Sequence, residues 1–227
     1  MNDKRPADPY KDFLEDIAGF SSEKTEAGQP SEAAAEQEGG PAAVGRRVKM
    51  VRQEKGLTTE DVGQRTGLSP AYLEQIEAAE LSPPLGVLIR IAKALDMKLG
   101  RFISTGEVKP FTVVRKHERR IVSRYTSAQA DQYGYTYESL APDKKDRHME
   151  PFVVTLAPSG AKKELSTHAG QEFIYVLEGV LEVILEDHQH VLSPGDSIYY
   201  DSSVPHLVRC HGEKETVILA VLYIPDG

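Results

Sequence analysis

Residues Thr58 to Glu77 read Thr-Thr-Glu-Asp-Val-Gly-Gln-Arg-Thr-Gly-Leu-Ser-Pro-Ala-Tyr-Leu-Glu-Gln-Ile-Glu. Two helix starts and one helix stop lie inside this run. Thr58-Thr59-Glu60-Asp61 fits a capping box, in which the hydroxyl accepts a backbone N–H and the acid bonds back to the cap. Val62 and Thr66 follow, and Gly67 closes the helix. Ser69-Pro70 then supplies an N-cap and a first-turn proline for a second helix that carries Leu73 and Ile76 inward. Two brief helices joined across Gly67-Leu68-Ser69 can present the second to a DNA major groove, and small bundles adopt the same arrangement for packing alone.

Working outward, Val44, Val48 and Val51 mark one face of a preceding helix that Gly56 ends. Ser82-Pro83 repeats the start signal for a fourth helix with an apolar stripe of Leu85, Leu88, Ile89, Ala92 and Leu95. Leu99 to Ile103 reads as a short fifth. These five helices occupy residues 43–106. Residues 1–42 are acidic and rich in Glu, Ala, Gly, Ser and Pro towards their end, a composition expected to form a disordered arm. Within it Phe13, Leu14, Ile17 and Phe20 recur at helical spacing, as a docking helix or a frayed terminus would show. Beyond Pro110 the period becomes that of strands: Phe111 to Val114, Ile121 to Tyr125, Tyr133 to Tyr137, Phe152 to Leu156, Phe173 to Leu177, Leu181 to Leu185, Ser197 to Tyr200, Leu207 to Cys210 and Thr216 to Tyr223. Close turn spacing without intervening helices indicates a sandwich or barrel over residues 107–227.

The chain has 227 residues, a formal net charge of −8, one cysteine and no tryptophan. A disulfide scaffold is excluded, and no apolar run approaches the roughly 20 residues of a membrane span. The first residues lack the basic and apolar regions of an export signal, so a reduced, cytoplasmic setting is expected. The charge is uneven: −6 over residues 1–42, +3 over 43–106, +3 over 107–147 and −8 over 148–227. A basic middle permits DNA binding without requiring it.

The run from Thr58 to Glu77, with Pro83 and Ile91-Ala92-x-Ala94-Leu95, resembles the Cro/repressor-type helix-turn-helix family over residues 43 to 104. The resemblance implies that the helix from Ser69 to Ala78 is the recognition helix and that Thr58 and Thr59 open the supporting helix near a phosphate. Ser69, Ala71, Tyr72 and Gln75 then face the bases, and Arg46, Arg47, Lys49, Arg52, Lys55 or Arg65 meets phosphates. The chain departs from the family at Thr59, where Gln is common, at Val62-Gly63, where small Ala is common, and at Ala79, where Gly is common. Pro70 and Ala71 cannot make bidentate base contacts, so direct readout is sparse.

In the second region, His168-x-x-x-Glu172-x-x-x-x-x-x-Gly179, with Gly160 before it and Gly195 and His206 after it, resembles the two motifs of the cupin family. The hairpin Tyr175 to Val183 and the turn Leu192-Ser193-Pro194-Gly195-Asp196 extend the likeness over residues 107 to 225. It implies an all-β double-stranded β-helix barrel, making the whole an α+β multidomain chain. It also implies a site at His168, Glu172 and His206 for a divalent metal ion, or at these three and Ser166 for an organic ligand. Ser166 stands where the family has its first imidazole, leaving three protein ligands. Asp201, Ser203 and Cys210 replace Pro, Gly and Asn of the second motif, and Cys210 reads as a buried thiol. His188 and His190 read as an exposed hairpin tip. His148 can reach the barrel or cap a strand, and the tyrosines of Tyr133-Gly134-Tyr135-Thr136-Tyr137 can line a cavity or form an ordinary strand face.

A DNA-binding bundle joined to a cupin resembles one-component bacterial transcriptional regulators. The expected function is therefore a sequence-specific regulator whose barrel senses a small-molecule effector, working as a homodimer on double-stranded DNA, with no membrane partner and no catalytic residues. The alternative is a metal-dependent cupin enzyme of isomerase or dioxygenase type that uses its helical region for assembly. A third reading makes the barrel a dimerisation scaffold without a ligand.

Overall fold

The computed structural model describes residues 40–104, 110–124, 134–158 and 165–225. The arm expected over residues 1–42 lies outside them as far as residue 39, as do Tyr133 and Gly160. Five helices come first: α1 (Pro41–Glu54), α2 (Thr59–Thr66), α3 (Pro70–Glu77), α4 (Leu85–Ala94) and α5 (Gly100–Ile103). Their boundaries follow local chemistry. Thr58 Oγ1 accepts from the Asp61 backbone N–H at 3.1 Å, and the Asp61 carboxylate accepts from the Thr58 N–H at 2.8 Å, closing the capping box. Gly67, in the left-handed region at φ 72°, ends α2, and Ser69 Oγ accepts from the Tyr72 N–H at 3.2 Å to open α3.

Ser82 departs from its expected capping role. Helix α4 begins at Leu85 behind Pro84, whose carbonyl accepts from Val87 and Leu88. Ser82 Oγ instead lies 3.0 Å from Ser123 Oγ, which also donates to the Pro83 carbonyl at 2.9 Å. A distant hydroxyl competes successfully with the local backbone for it.

The second region forms nine strands: β1 (Arg120–Arg124), β2 (Tyr135–Ser139), β3 (Met149–Leu156), β4 (Gln171–Glu178), β5 (Leu181–Leu185), β6 (His188–Leu192), β7 (Ser197–Asp201), β8 (His206–Cys210) and β9 (Thr216–Tyr223). They make a six-stranded sheet ordered β1-β2-β3-β9-β4-β7 and a three-stranded sheet ordered β6-β5-β8, with every pairing antiparallel. Phe152, Val154, Ile174, Val176, Ile218 and Ala220 of the large sheet share a buried core with Leu181 and Val183 of the small one.

Two expectations about strands are corrected. Phe111 to Val114 is irregular, and Phe111 and Val113 are exposed, because the segment pairs with no strand among the described residues. His188-Gln189-His190, expected at a hairpin tip, lies within β6, with Glu186-Asp187 making the turn; Glu186 has φ 54°. β6 is an exposed edge strand, so its side chains carry no alternating apolar signal. Cys210 is half-buried rather than buried, and its thiol donates to the Lys214 carbonyl at 2.6 Å.

The helical and β regions belong to one compact unit. Besides the Ser82–Ser123 contact, Arg147 donates to Ser104 Oγ, and it pairs with Glu150 at 2.6 Å beside Gly100 of α5.

Candidate DNA-binding face and cupin site

Helix α3 turns Leu73 and Ile76 into the bundle and leaves Ala71, Glu74 and Gln75 exposed, with Tyr72 half-buried. Ser69 is exposed as well, although its hydroxyl is committed to the cap. Thr58 is likewise exposed and committed to its capping box. Thr59 is buried, and its hydroxyl donates to Glu74 at 3.3 Å, tying α2 to α3. Several cations expected at phosphates are engaged internally. Arg52 makes a bidentate pair with Glu77 at 2.6 and 2.7 Å and donates to the Leu57 carbonyl, because a buried carboxylate requires a partner. Arg47 donates to the Phe102 carbonyl and Arg65 to the Ala94 carbonyl. Arg46, Lys49 and Lys55 stay exposed.

The cupin cluster is built from three segments. Strand β4 opposes Glu172 to Tyr200 of β7, β8 opens with His206, and His168 lies in the loop before β4. A bridge between Ser166 and His206, with N–H to carbonyl distances of 2.7 and 2.9 Å, holds that loop against β8. His168 Nε2 stands 2.8 Å and His206 Nε2 3.7 Å from Glu172 Oε1, and the side chains are only 4 %, 6 % and 10 % exposed for His168, His206 and Glu172.

The outer ring nitrogens fix the chemistry. His168 Nδ1 faces the Ala169 carbonyl at 3.2 Å and His206 Nδ1 faces the Val204 carbonyl at 2.8 Å. A carbonyl only accepts, so each Nδ1 carries a proton and the Nε2 of each ring faces the Glu172 carboxylate: as N–H it pairs with Oε1, and without that proton it is a metal ligand. Burial pushes the Glu172 carboxyl up, but the hydrogen bond and charge of His168, the charge of His206 and the Tyr200 hydroxyl together hold it below its usual value. One potential ligand atom from each of His168, Glu172 and His206 lies within 4.8 Å of the others. This set fits a divalent ion such as zinc, iron, manganese or nickel, with backbone carbonyls orienting the imidazoles. Ser166 is exposed, and a Cβ built on Gly86 would stand close to its Oγ.

Tyrosines complete the interior. Tyr200 donates to Glu172 Oε2 at 2.7 Å, a role visible in the sequence only once the β4–β7 register is known. Tyr135 donates to the Val208 carbonyl at 2.5 Å, and Tyr137 packs edge-on against Phe152. Burial, with the charge of Glu172 nearby, raises the hydroxyl pKa of Tyr137 well above its usual value. His148 is exposed and does not enter this interior, and Asp201 accepts from Gln171 at the sheet surface.

Comparison with known proteins agrees with both regions. A helix-turn-helix domain model matches residues 43–100, and a cupin domain model matches residues 152–222. The HTH-type transcriptional regulator SutR of Escherichia coli is 26 % identical over 180 residues, spanning 78 % of this chain and 93 % of that protein. An uncharacterized HTH-type transcriptional regulator of Sinorhizobium fredii is 34 % identical over 68 residues, covering 30 % of this chain and 88 % of its own. The (S)-2-hydroxypropylphosphonic acid epoxidase of Streptomyces wedmorensis is 27 % identical over 161 residues, 66 % of this chain and 79 % of the enzyme. Among solved structures, an HTH_3 family transcriptional regulator from Vibrio cholerae superposes with a TM-score of 0.57 at 25 % identity, over 82 % of this chain and 97 % of that one. With the two domains in this order and these relatives, the chain belongs to the helix-turn-helix transcriptional regulators that carry a C-terminal cupin domain.

Proposed function

We propose that the chain is a sequence-specific DNA-binding regulator whose cupin domain senses a small ligand at His168, Glu172 and His206. The observation that carries this reading is the convergence of three buried potential ligand atoms behind a complete helix-turn-helix. A divalent ion held there would supply Lewis acidity and open positions for an organic ligand. Ser69, Ala71, Tyr72 and Gln75 face DNA bases, Thr58, Thr59 and Arg65 lie towards the backbone, and Arg46, Lys49 and Lys55 supply phosphate attraction.

The homodimer uses the outer face of the six-stranded sheet. Met149, Tyr175, Leu177, Tyr199 and Tyr223 share that face and are 62 %, 37 %, 42 %, 62 % and 43 % exposed. At typical side-chain areas they offer on the order of 500 Å² per copy, so pairing two copies removes about 1,000 Å², the lower bound of a specific interface.

Fluorescence anisotropy with duplexes from the gene's own upstream region and an unrelated sequence, across a salt series with and without divalent metal, tests the regulator. Selective binding that responds to metal in wild type, but not in His168→Ala, is expected; equal binding to every duplex under all conditions defeats the reading. The enzyme alternative draws support from the similarity to the epoxidase. Metal-dependent turnover of a hydroxyalkylphosphonate would favour it.

A further inference from the structure

The first turn of α4 comes unusually close to the cupin cluster. A methyl group built on Gly86 would stand 2.8 Å from Ser166 Oγ and 3.8 Å from His168 Cδ2. Real side chains essentially never approach at the first distance, so this contact requires glycine or movement of Ser166. The exposed Ser166 hydroxyl can turn about its own Cβ, but the backbone that carries it is held. Ser166 exchanges two backbone hydrogen bonds with His206, and the His168 N–H donates to the Ser202 carbonyl at 3.0 Å. On the other side, Pro83 is tied to Ser123 and Pro84 caps α4 with its carbonyl. Leu85 and Ile89 anchor the helix in the shared core. Residues 166 to 168 are therefore held between the first turn of α4 and the backbone of Ser202 and His206.

We infer that the helix-turn-helix region supplies one wall of the cupin site, with Gly86 as a positioning residue that sets where His168 stands relative to Glu172 and His206. The site is thereby a composite of both domains, and in this docked arrangement it takes a divalent ion. A ligand that extends from the ion past His168 towards Ser166 meets the backbone of α4, which packs on α2 within the bundle. Site occupancy and placement of the DNA-binding helices are linked at this contact. The inference rests on reading the three residues as a metal site, and its test separates the two.

The experiment is a double-mutant cycle in the full-length protein with Gly86→Ala, Ser166→Ala and the two combined, read by thermal unfolding without metal and by Co(II) binding from visible absorption. Gly86→Ala is expected to lower Tm by about 5 °C and weaken Co(II) binding about tenfold. Ser166→Ala alone stays near wild type, and the double variant recovers at least half of both losses, because removing Oγ makes room for the methyl. A purely helical effect of alanine would leave no coupling to Ser166 and no change in the Co(II) spectrum. Additive losses overturn the shared wall. Co(II) binding that His168→Ala leaves unchanged overturns the metal reading beneath it. If Gly86→Ala does not fold, recovery of folded protein by adding Ser166→Ala is the expected coupling, and a double variant that also fails to fold overturns the inference.

Discussion

Arg52 with Glu77 in the helical region, and His168 with Glu172 and His206 in the cupin region, are both buried polar clusters, but their donors and acceptors balance differently. Three of the five Arg52 N–H groups donate, two to the Glu77 carboxylate oxygens and one to a carbonyl, so the buried carboxylate is met at both oxygens. The cupin cluster instead centres on one carboxylate: Tyr200 donates to its Oε2, and two imidazoles whose Nδ1 protons are bound to carbonyls turn their Nε2 atoms to its Oε1. A balanced cluster is a structural fastening, because nothing further is needed to satisfy it. In the cupin cluster a divalent ion can take the place of the Nε2 protons, which is why the proposed ligand site lies there. Burial alone does not separate the two; exchangeable protons facing a carboxylate do.

The strongest way to break this contrast is to unbalance the fastening. Glu77→Ala leaves the Arg52 guanidinium, whose side chain is 13 % exposed, without its counter-charge. A loss of about 3–5 kcal/mol in unfolding free energy is expected by denaturant titration. His206→Ala, which leaves Glu172 with His168 and Tyr200 as partners, should cost much less. Equal losses would mean that both clusters are structural.

A third cluster lies between these extremes, at the seam between the regions. Glu150 is buried beside Arg147 and accepts from the Gly100 N–H, and burial still pushes its carboxyl up to about 7. A carboxyl raised above its unfolded value stabilises the folded state fully below pH 4.5. That contribution is lost as pH rises through the window to about 7. Stability should therefore fall by about 3 kcal/mol across this window from this group, and Glu150→Gln should flatten that part of the profile. An unchanged slope in the variant would show that Arg147 balances Glu150 completely, placing the seam with the Arg52–Glu77 pair.

Metal addition sharpens the comparison from the other side. Saturating Co(II) at a hundred times its Kd should raise unfolding free energy by about 2.7 kcal/mol in wild type. The gain should vanish in Glu172→Gln and survive in Arg52→Ala, where the cupin donors are intact. A gain that persists in Glu172→Gln locates the metal elsewhere.

How far these features could be read in advance follows from their range. Thr58 with Asp61, and Ser69 with Tyr72, act across three residues, so the caps and the helix-turn-helix they frame were legible. The spacing of His168 and Glu172 and the later His206 were legible through the cupin resemblance, and the structure brings all three together. Ser82 carries an ordinary cap signal, but its partner is Ser123. Phe111 to Val114 has the composition of a strand but no neighbour to pair with among the described residues, while His188 to Leu192 has a neighbour but no apolar alternation. Tyr200 and Gly86 reach the site through strand register and domain packing, neither of which leaves a local signal.

The smallest effect tests the bundle's own imperfection. Ala79, where the helix-turn-helix family commonly has glycine, sits at φ 61° just after α3, with its N–H donated to the Ile76 carbonyl. An L side chain in this left-handed region costs roughly 1–2 kcal/mol through the clash of Cβ with the following carbonyl. Ala79→Gly removes that clash but loosens the unfolded chain, which returns part of the gain. The net expectation is a stabilisation of about 0.5–1 kcal/mol, seen as an increase in Tm of a few degrees with the Co(II) response unchanged. Because the substitution touches neither cluster, a changed metal response would mean that strain at the end of the recognition helix reaches the cupin site. The sharp division between fastening and ligand site would then have to give way to a single strained framework.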